Sequence, residues 1–276
     1  MALATFTESI LRRNRMVVLV GLGIIVLLSG AYTIYLAQNM GAMMDMGHIG
    51  MGHTGMGHTG MEMAMPVVQP WGAMDYWLMF VMWSVMMIAM MTPSAAPMIL
   101  TYTKMSQKQQ ANLQPVWGTT LFYLGYLIVW AAYSAVATLA QGVLHAASLL
   151  SPMMEISSPV LGGIILIATG IFQFTPYKQA CLSHCRTPLG YFMTEWREGQ
   201  WGALVMGIRH GAYCVGCCWL LMALLFVSGV MNLFWMGVIT AYVLIEKMIP
   251  NGQKVSWAIG VVMIGWGVWM LAGVLF

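Results

Sequence analysis

The chain has 276 residues, of which 60% are hydrophobic and 7% charged, with a net charge of +3. Soluble globular proteins carry about 25% charged residues, so a water-soluble domain is excluded. A disordered chain is excluded by the same composition, and a net charge this small gives no reason to expect nucleic acid as a partner.

The composition is that of an all-α polytopic membrane protein, a bundle of about seven transmembrane helices. Its odd feature is methionine: 30 residues, against 11 basic and 8 acidic ones. A spanning helix needs about 20 mainly apolar residues. Seven stretches qualify, at roughly 16–36, 76–100, 116–140, 159–175, 203–228, 230–248 and 255–275. They divide the chain into three parts. Residues 1–36 are an N-terminal segment and first anchor, 37–73 a tether, and 74–276 a six-helix membrane domain. Ser29-Gly30-Ala31 offers small residues for cleavage, but 16–36 is long for a signal core and reads as an uncleaved anchor.

Arg12, Arg13 and Arg15 precede the first stretch and place the N-terminus in the cytoplasm. Alternation then puts Lys104, Lys108, Lys178, Arg186, Arg197, Lys247 and Lys254 on the same side. The tether and Phe276 are expected on the other. Ser158-Pro159 is a helix-start signal. Pro93 and Pro97 are expected to kink or end the second helix. Ser228-Gly229 makes a tight link between the fifth and sixth stretches.

Residues 46–60 are three copies of a five-residue unit: Met46-Gly47-His48-Ile49-Gly50, Met51-Gly52-His53-Thr54-Gly55 and Met56-Gly57-His58-Thr59-Gly60. Met61-Glu62-Met63-Ala64-Met65 is a degenerate fourth. The glycines favour a flexible, hydrated tether over a helix. Thioether sulfur suits Cu(I), and imidazole suits copper, nickel or zinc. Outside the cytoplasm a thiolate oxidises to a disulfide, whereas a thioether does not form one. Met46, His48, Met51, His53, Met56 and His58 are therefore candidate copper ligands. The competing reading is a linker lengthened by repeat slippage. Gly and Thr fit it, but a Met and a His in every copy do not.

In the second stretch, Met79, Met82, Met86 and Met90 fall within an arc of about 80° on one helix face. Met82, Met86 and Met90 are candidate uncharged Cu(I) ligands. Methionine is equally a flexible core filler. Asp75, at the mouth of this helix, reads as an interfacial carboxylate. His145 and Glu155 read as solvated loop residues, and the neighbours Glu246 and Lys247 as an interfacial or snorkelling pair.

Every cysteine lies in one of two clusters that also contain histidine. If helical, Cys181, His184 and Cys185 share a face. His210, Cys214, Cys217 and Cys218 fall within about 100° of arc on another helix. Thiolate and imidazole at this spacing suit Cu(I), zinc or an iron–sulfur centre. Arg209 and Lys178 are expected to favour thiolate. Neither cluster has the paired C-x-x-C knuckles of a zinc ribbon, and no C-x-x-C-H for covalent haem occurs; His184 as a b-type haem ligand or a plain polar contact stays open. From 1.5 Å per residue, Cys214 lies near the midplane, at the depth of Met86.

Three stretches carry a resemblance: Met82 to Ser94, Phe174 to Cys185, and Arg209 to Trp219. Across about 74–276 the chain resembles a bacterial family described as predicted metal-binding integral membrane proteins, a domain of unknown function. The resemblance implies a multi-pass helical protein of the bacterial inner membrane with a metal site at Cys181, His184, Cys185, His210, Cys214, Cys217 and Cys218.

The reading that follows is a copper-handling membrane protein, with copper as Cu(I) the expected ion and zinc or another soft metal the alternative. The tether collects copper and the Cys/His cluster binds it. No nucleotide-binding motif is present, so a primary pump is not expected. No catalytic constellation is present, so no enzyme is expected. The bilayer and copper are the expected partners, with other membrane subunits or a separate copper chaperone beside them. The alternative function is a non-catalytic subunit or assembly factor of a larger membrane metalloenzyme. A dithiol redox enzyme fits less well, because the cysteines lie inside the membrane or on its cytoplasmic side.

Overall fold

The computed structural model describes residues 2–49, 71–109, 115–151, 154–249 and 251–275. Among them the chain folds into ten helices: α1 (Ala2–Ile49), α2 (Ala73–Gln109), α3 (Pro115–Ala146), α4 (Pro159–Phe172), α5 (Pro176–Arg186), α6 (Pro188–Glu195), α7 (Gly199–Ala223), α8 (Leu225–Ser228), α9 (Leu233–Met248) and α10 (Gly252–Leu275). An isolated bridge joins Leu150 to Ile156.

The starts of these helices follow local chemistry. Proline occupies the first turn of α4, α5 and α6, where its missing N–H has no intrahelical partner to lose. Ser158, Thr175 and Asn232 cap α4, α5 and α9 by accepting from Leu161, Lys178 and Trp235 backbone N–H groups. Asp75 accepts from the Gly72 N–H at 2.8 Å and so closes the start of α2. Gly229 turns the chain between α8 and α9 at φ 91°, a left-handed conformation that glycine adopts without strain.

Helices occupy most of each of the seven expected apolar stretches, leaving 173–175, 224 and 230–232 outside them. Five helices are long and apolar enough to cross a membrane, and α4 with α5, bent by 65°, makes a sixth if counted as one broken span. The 14-residue α4 and the 16-residue α9 are short; α9 spans about 24 Å, less than the hydrocarbon core. The second helix neither ends at Pro93 nor at Pro97 but continues to Gln109. Ser94 Oγ and Tyr126 OH both donate to the Met91 carbonyl, which ties this turn of α2 to α3 next to the first proline. A second difference lies at the end of α1. It runs through Gly41 and Gly47 to Ile49, into the first copy of the repeat, because Ala37 to Met46 is mostly made of helix-forming residues between single glycines.

Two close helix pairs organise the bundle. A Cβ at Gly207 of α7 would sit 1.9 Å from the Phe122 carbonyl oxygen of α3, so these backbones touch. Gly163 and Gly170 of α4 meet Gly267 and Gly260 of α10 in the same manner. Small residues at such contacts let helices approach closely where lipid offers no hydrophobic drive. α1 lies along α2, α2 along α3, and α5 against α7. The core between them contains Trp83, Tyr102, Tyr126, Trp130, Tyr191 and Phe192, all fully buried.

Candidate metal centre

The 65° bend at 173–175 swings α5 against α7. Gly216 makes room for it: a Cβ there would lie 2.9 Å from Cys181 Sγ. Cys181 and Cys185 are consequently buried against α7. Cys214, Cys217 and Cys218 are buried on the facing side of α7. The Cys185 thiol faces those of Cys214 and Cys217, and Cys181 lies nearer Cys217. All five cysteines are free thiols. The two clusters, separate in sequence, thus meet across one helix interface.

The thiols do not converge on a common point. Cys217 and Cys218 turn back to the Cys214 carbonyl at 3.1 and 2.8 Å. Among the described residues no three His, Cys, Asp or Glu side chains are grouped to hold one metal ion. Pairs of thiols across the α5–α7 contact are what the geometry offers. A pair is enough for Cu(I), which accepts two-coordinate thiolate binding, and short of the four ligands of a structural zinc site.

His184 does not point with its neighbouring cysteines. Its ring stacks on Tyr213 at 4.3 Å and its Nδ1 lies 2.9 Å from the Ala180 carbonyl. His210 is buried one turn before Cys214, between the rings of Phe122, Tyr126 and Tyr191 at 6.0, 5.6 and 5.9 Å. Among the described residues neither of its ring nitrogens has a hydrogen-bond partner.

Charged residues take places the sequence did not suggest. Glu246 and Lys247 neither snorkel nor pair with each other. Lys247 Nζ donates to Cys214 Sγ at 3.0 Å and to Ser94 Oγ at 3.1 Å. Glu246 Oε1 pairs with Lys178 Nζ at 2.5 Å, both side chains being buried. Gln173, Tyr242 and Ser256 complete that network. Arg209 pairs with Glu195 at the surface, so neither Arg209 nor Lys178 serves the thiols as expected; Lys247 does. The signal for it was present: two ionisable residues within an apolar helix mark a functional site unless shown otherwise.

The methionines also take a different register. Met82, Met86 and Met90 are buried in the core, as their common face requires. Cys214, however, is not level with Met86. Tyr126 OH lies 3.4 Å from Cys214 Sγ and donates to the Met91 carbonyl at 3.2 Å, and Lys247 joins Cys214 to Ser94. The thiols therefore sit beside Met91 to Ser94, at least five residues or about 7.5 Å further along α2. In the repeat, Met46 and His48 belong to the end of α1, while Met51, His53, Met56 and His58 lie outside the described residues.

An all-helical membrane bundle with thiols paired across one buried helix contact is a protein class suited to a soft metal. A family model described as PpoB2, copper chaperone, matches residues 80–270, and the chain belongs to that family. No curated protein and no solved structure matches it. The protein is a copper-handling membrane protein. The matched stretch contains both cysteine clusters and the buried methionines; it excludes the Met/His repeat.

Proposed function

We propose that the protein takes up copper on the extracytoplasmic face of the inner membrane and delivers it as Cu(I), acting as a carrier and not as an enzyme. In this reading Met46, His48, Met51, His53, Met56 and His58 collect the ion. The buried face of Met82, Met86 and Met90 gives it an uncharged route, and a pair of thiols, Cys185 with Cys214 or Cys217, holds it across the α5–α7 contact. The observation that carries the proposal is that contact: cysteines of two separate sequence clusters face one another in a core where no disulfide closes them. Lys247 supplies positive charge next to Cys214, which offsets the negative charge of a Cu(I) bis-thiolate. His210, one turn away with both nitrogens unpartnered, is available as a further ligand. Orientation follows the basic residues, with the N-terminus inside.

The test is copper content and accumulation in cells expressing the full chain, a variant lacking residues 43–65, and Cys214→Ser. Deletion of the repeat should lower accumulation at limiting copper. Cys214→Ser should lower the copper retained by the purified protein. Unchanged values in both variants would overturn the proposal. A reporter fused after Phe276 tests the orientation, and should register outside if α4 with α5 and α9 both cross.

A further inference from the structure

α9 stops at Met248, whereas α2 runs on to Gln109. The bond from Lys247 Nζ to Ser94 Oγ ties the two helices just before α9 ends. Beyond that tie α2 continues without α9 beside it, and a groove of about 340 Å³ opens there. Among the described residues its walls include Pro93, Ala96, Pro97, Leu100 and Lys104, which share one stripe of α2, and Met248 at the end of α9. The depression follows from the residue types. Ala96 offers a single methyl group, and the two proline rings fold back on their own backbone. The groove is open to the outside of the bundle: Pro97 and Lys104 are exposed, and so is Met248.

One end of this groove is apolar and the other is charged. From Pro93 to Lys104 the helix rises about 16.5 Å, which is about half of a hydrocarbon core roughly 30 Å thick. The groove therefore has the length of one leaflet, with Lys104 at its headgroup end, the basic end of the bundle. Among the described residues no carboxylate pairs with Lys104. The acidic residue of α2 is Asp75, in its first turn at the opposite end. A lysine alone at an interface snorkels and selects nothing. Here an apolar slot of leaflet length leads to an uncompensated ammonium.

We propose that this groove binds one anionic phospholipid. An acyl chain lies along Pro93, Ala96, Pro97 and Leu100, and the phosphate meets Lys104. Charge complementarity selects the anionic lipid, because a zwitterionic headgroup carries its own cation to its phosphate. The site is separate from the thiol cluster and does not rest on the copper reading. It bears on the centre through α9: Met248 borders the groove and follows Lys247, so the lipid steadies the helix end that holds Lys247 to Ser94.

The experiment uses the full chain in nanodiscs of phosphatidylcholine, alone or mixed with phosphatidylglycerol. Native mass spectrometry then counts the lipid that stays bound after release from the disc. The wild type should retain one phosphatidylglycerol in preference to phosphatidylcholine by about fivefold, the worth of one lysine at an anionic surface. Lys104→Gln should lose that preference. Ala96→Trp, which fills the groove and leaves Lys104 in place, should lose the retained lipid of either kind. Lys254→Gln removes another exposed lysine at the same end and should keep the preference. Equal retention of the two lipids by the wild type, or an unchanged preference in Lys104→Gln, overturns the site. A further arm needs no substitution: glycerol phosphate, a headgroup without chains, should not displace the lipid. Displacement would assign the binding to Lys104 alone and overturn the groove. A dimer in phosphatidylcholine that Ala96→Trp separates would make the groove a contact between two copies, and would overturn the lipid as its occupant.

Discussion

Lys247 Nζ lies 3.0 Å from Cys214 Sγ, deep in the bundle. Among the described residues Lys247 has no carboxylate partner, since Glu246 is paired with Lys178. A buried ammonium is tolerated beside an anion and strongly disfavoured alone. Copper on two thiolates carries one negative charge, which a single ammonium balances. Lys247→Gln is therefore expected to weaken Cu(I) binding by about tenfold or more, equivalent to about 1.4 kcal/mol. Competition against a coloured Cu(I) chelator measures this. Equal affinity in a variant of unchanged melting temperature would rule out the charge role.

The Lys178–Glu246 pair makes the opposite prediction, one about stability. Both side chains are buried, and the carboxylate also receives Tyr242 and Ser256. Removing one charge leaves the other uncompensated, at a cost of about 3–5 kcal/mol. Glu246→Gln should lower the melting temperature in detergent sharply. Replacing both residues together, as Lys178→Met with Glu246→Met, should recover much of the loss. A single variant as stable as the wild type would show that the pair contributes no net stability.

The helices were legible in the sequence because length, hydropathy and proline starts are local signals. So was the buried face of Met82, Met86 and Met90. What the sequence hid was the bend after Phe172. Folding α5 back against α7 brings Cys181 and Cys185 onto Cys214 and Cys217, and sets Lys178 against Glu246. No periodicity within either helix encodes that contact. The snorkelling expectation for Lys247 failed for the same reason: depth estimated along one helix does not include the helices that cover its end. His184 shows the limit of spacing arguments, since a residue on the right face of α5 packs on Tyr213 and leaves the cysteines.

Gly207 tests the α3–α7 contact that supports the site. A methyl group there would lie 1.9 Å from the Phe122 carbonyl oxygen, so the backbones must separate. His210, which stacks on Phe122 and Tyr126, would shift with them. Gly207→Ala should destabilise by at least 1–3 kcal/mol, the usual range for overpacking, and should expose Cys214 to alkylating reagents. Gly237, with nothing within 4 Å of an added Cβ, is the control, and Gly237→Ala should be neutral. Equal melting of the two variants would mean that the helices are further apart than this.

His210 and His184 separate a ligand from a packing residue. An unpaired buried polar group costs about 1–3 kcal/mol, and His210 leaves both ring nitrogens unpaired within a cage of aromatic rings. Phenylalanine suits such a cage, so His210→Phe should be as stable as the wild type, or more so, when copper is withheld. Binding at a hundred times Kd adds about 2.7 kcal/mol to a folded protein. With Cu(I) present the wild type should rise in melting temperature, and His210→Phe should rise by less. His184→Ala removes a ring that stacks on Tyr213 and should leave the copper-induced rise intact. A full copper-induced rise in His210→Phe would remove His210 from the ligand set and leave the cysteines as the whole of the inner site.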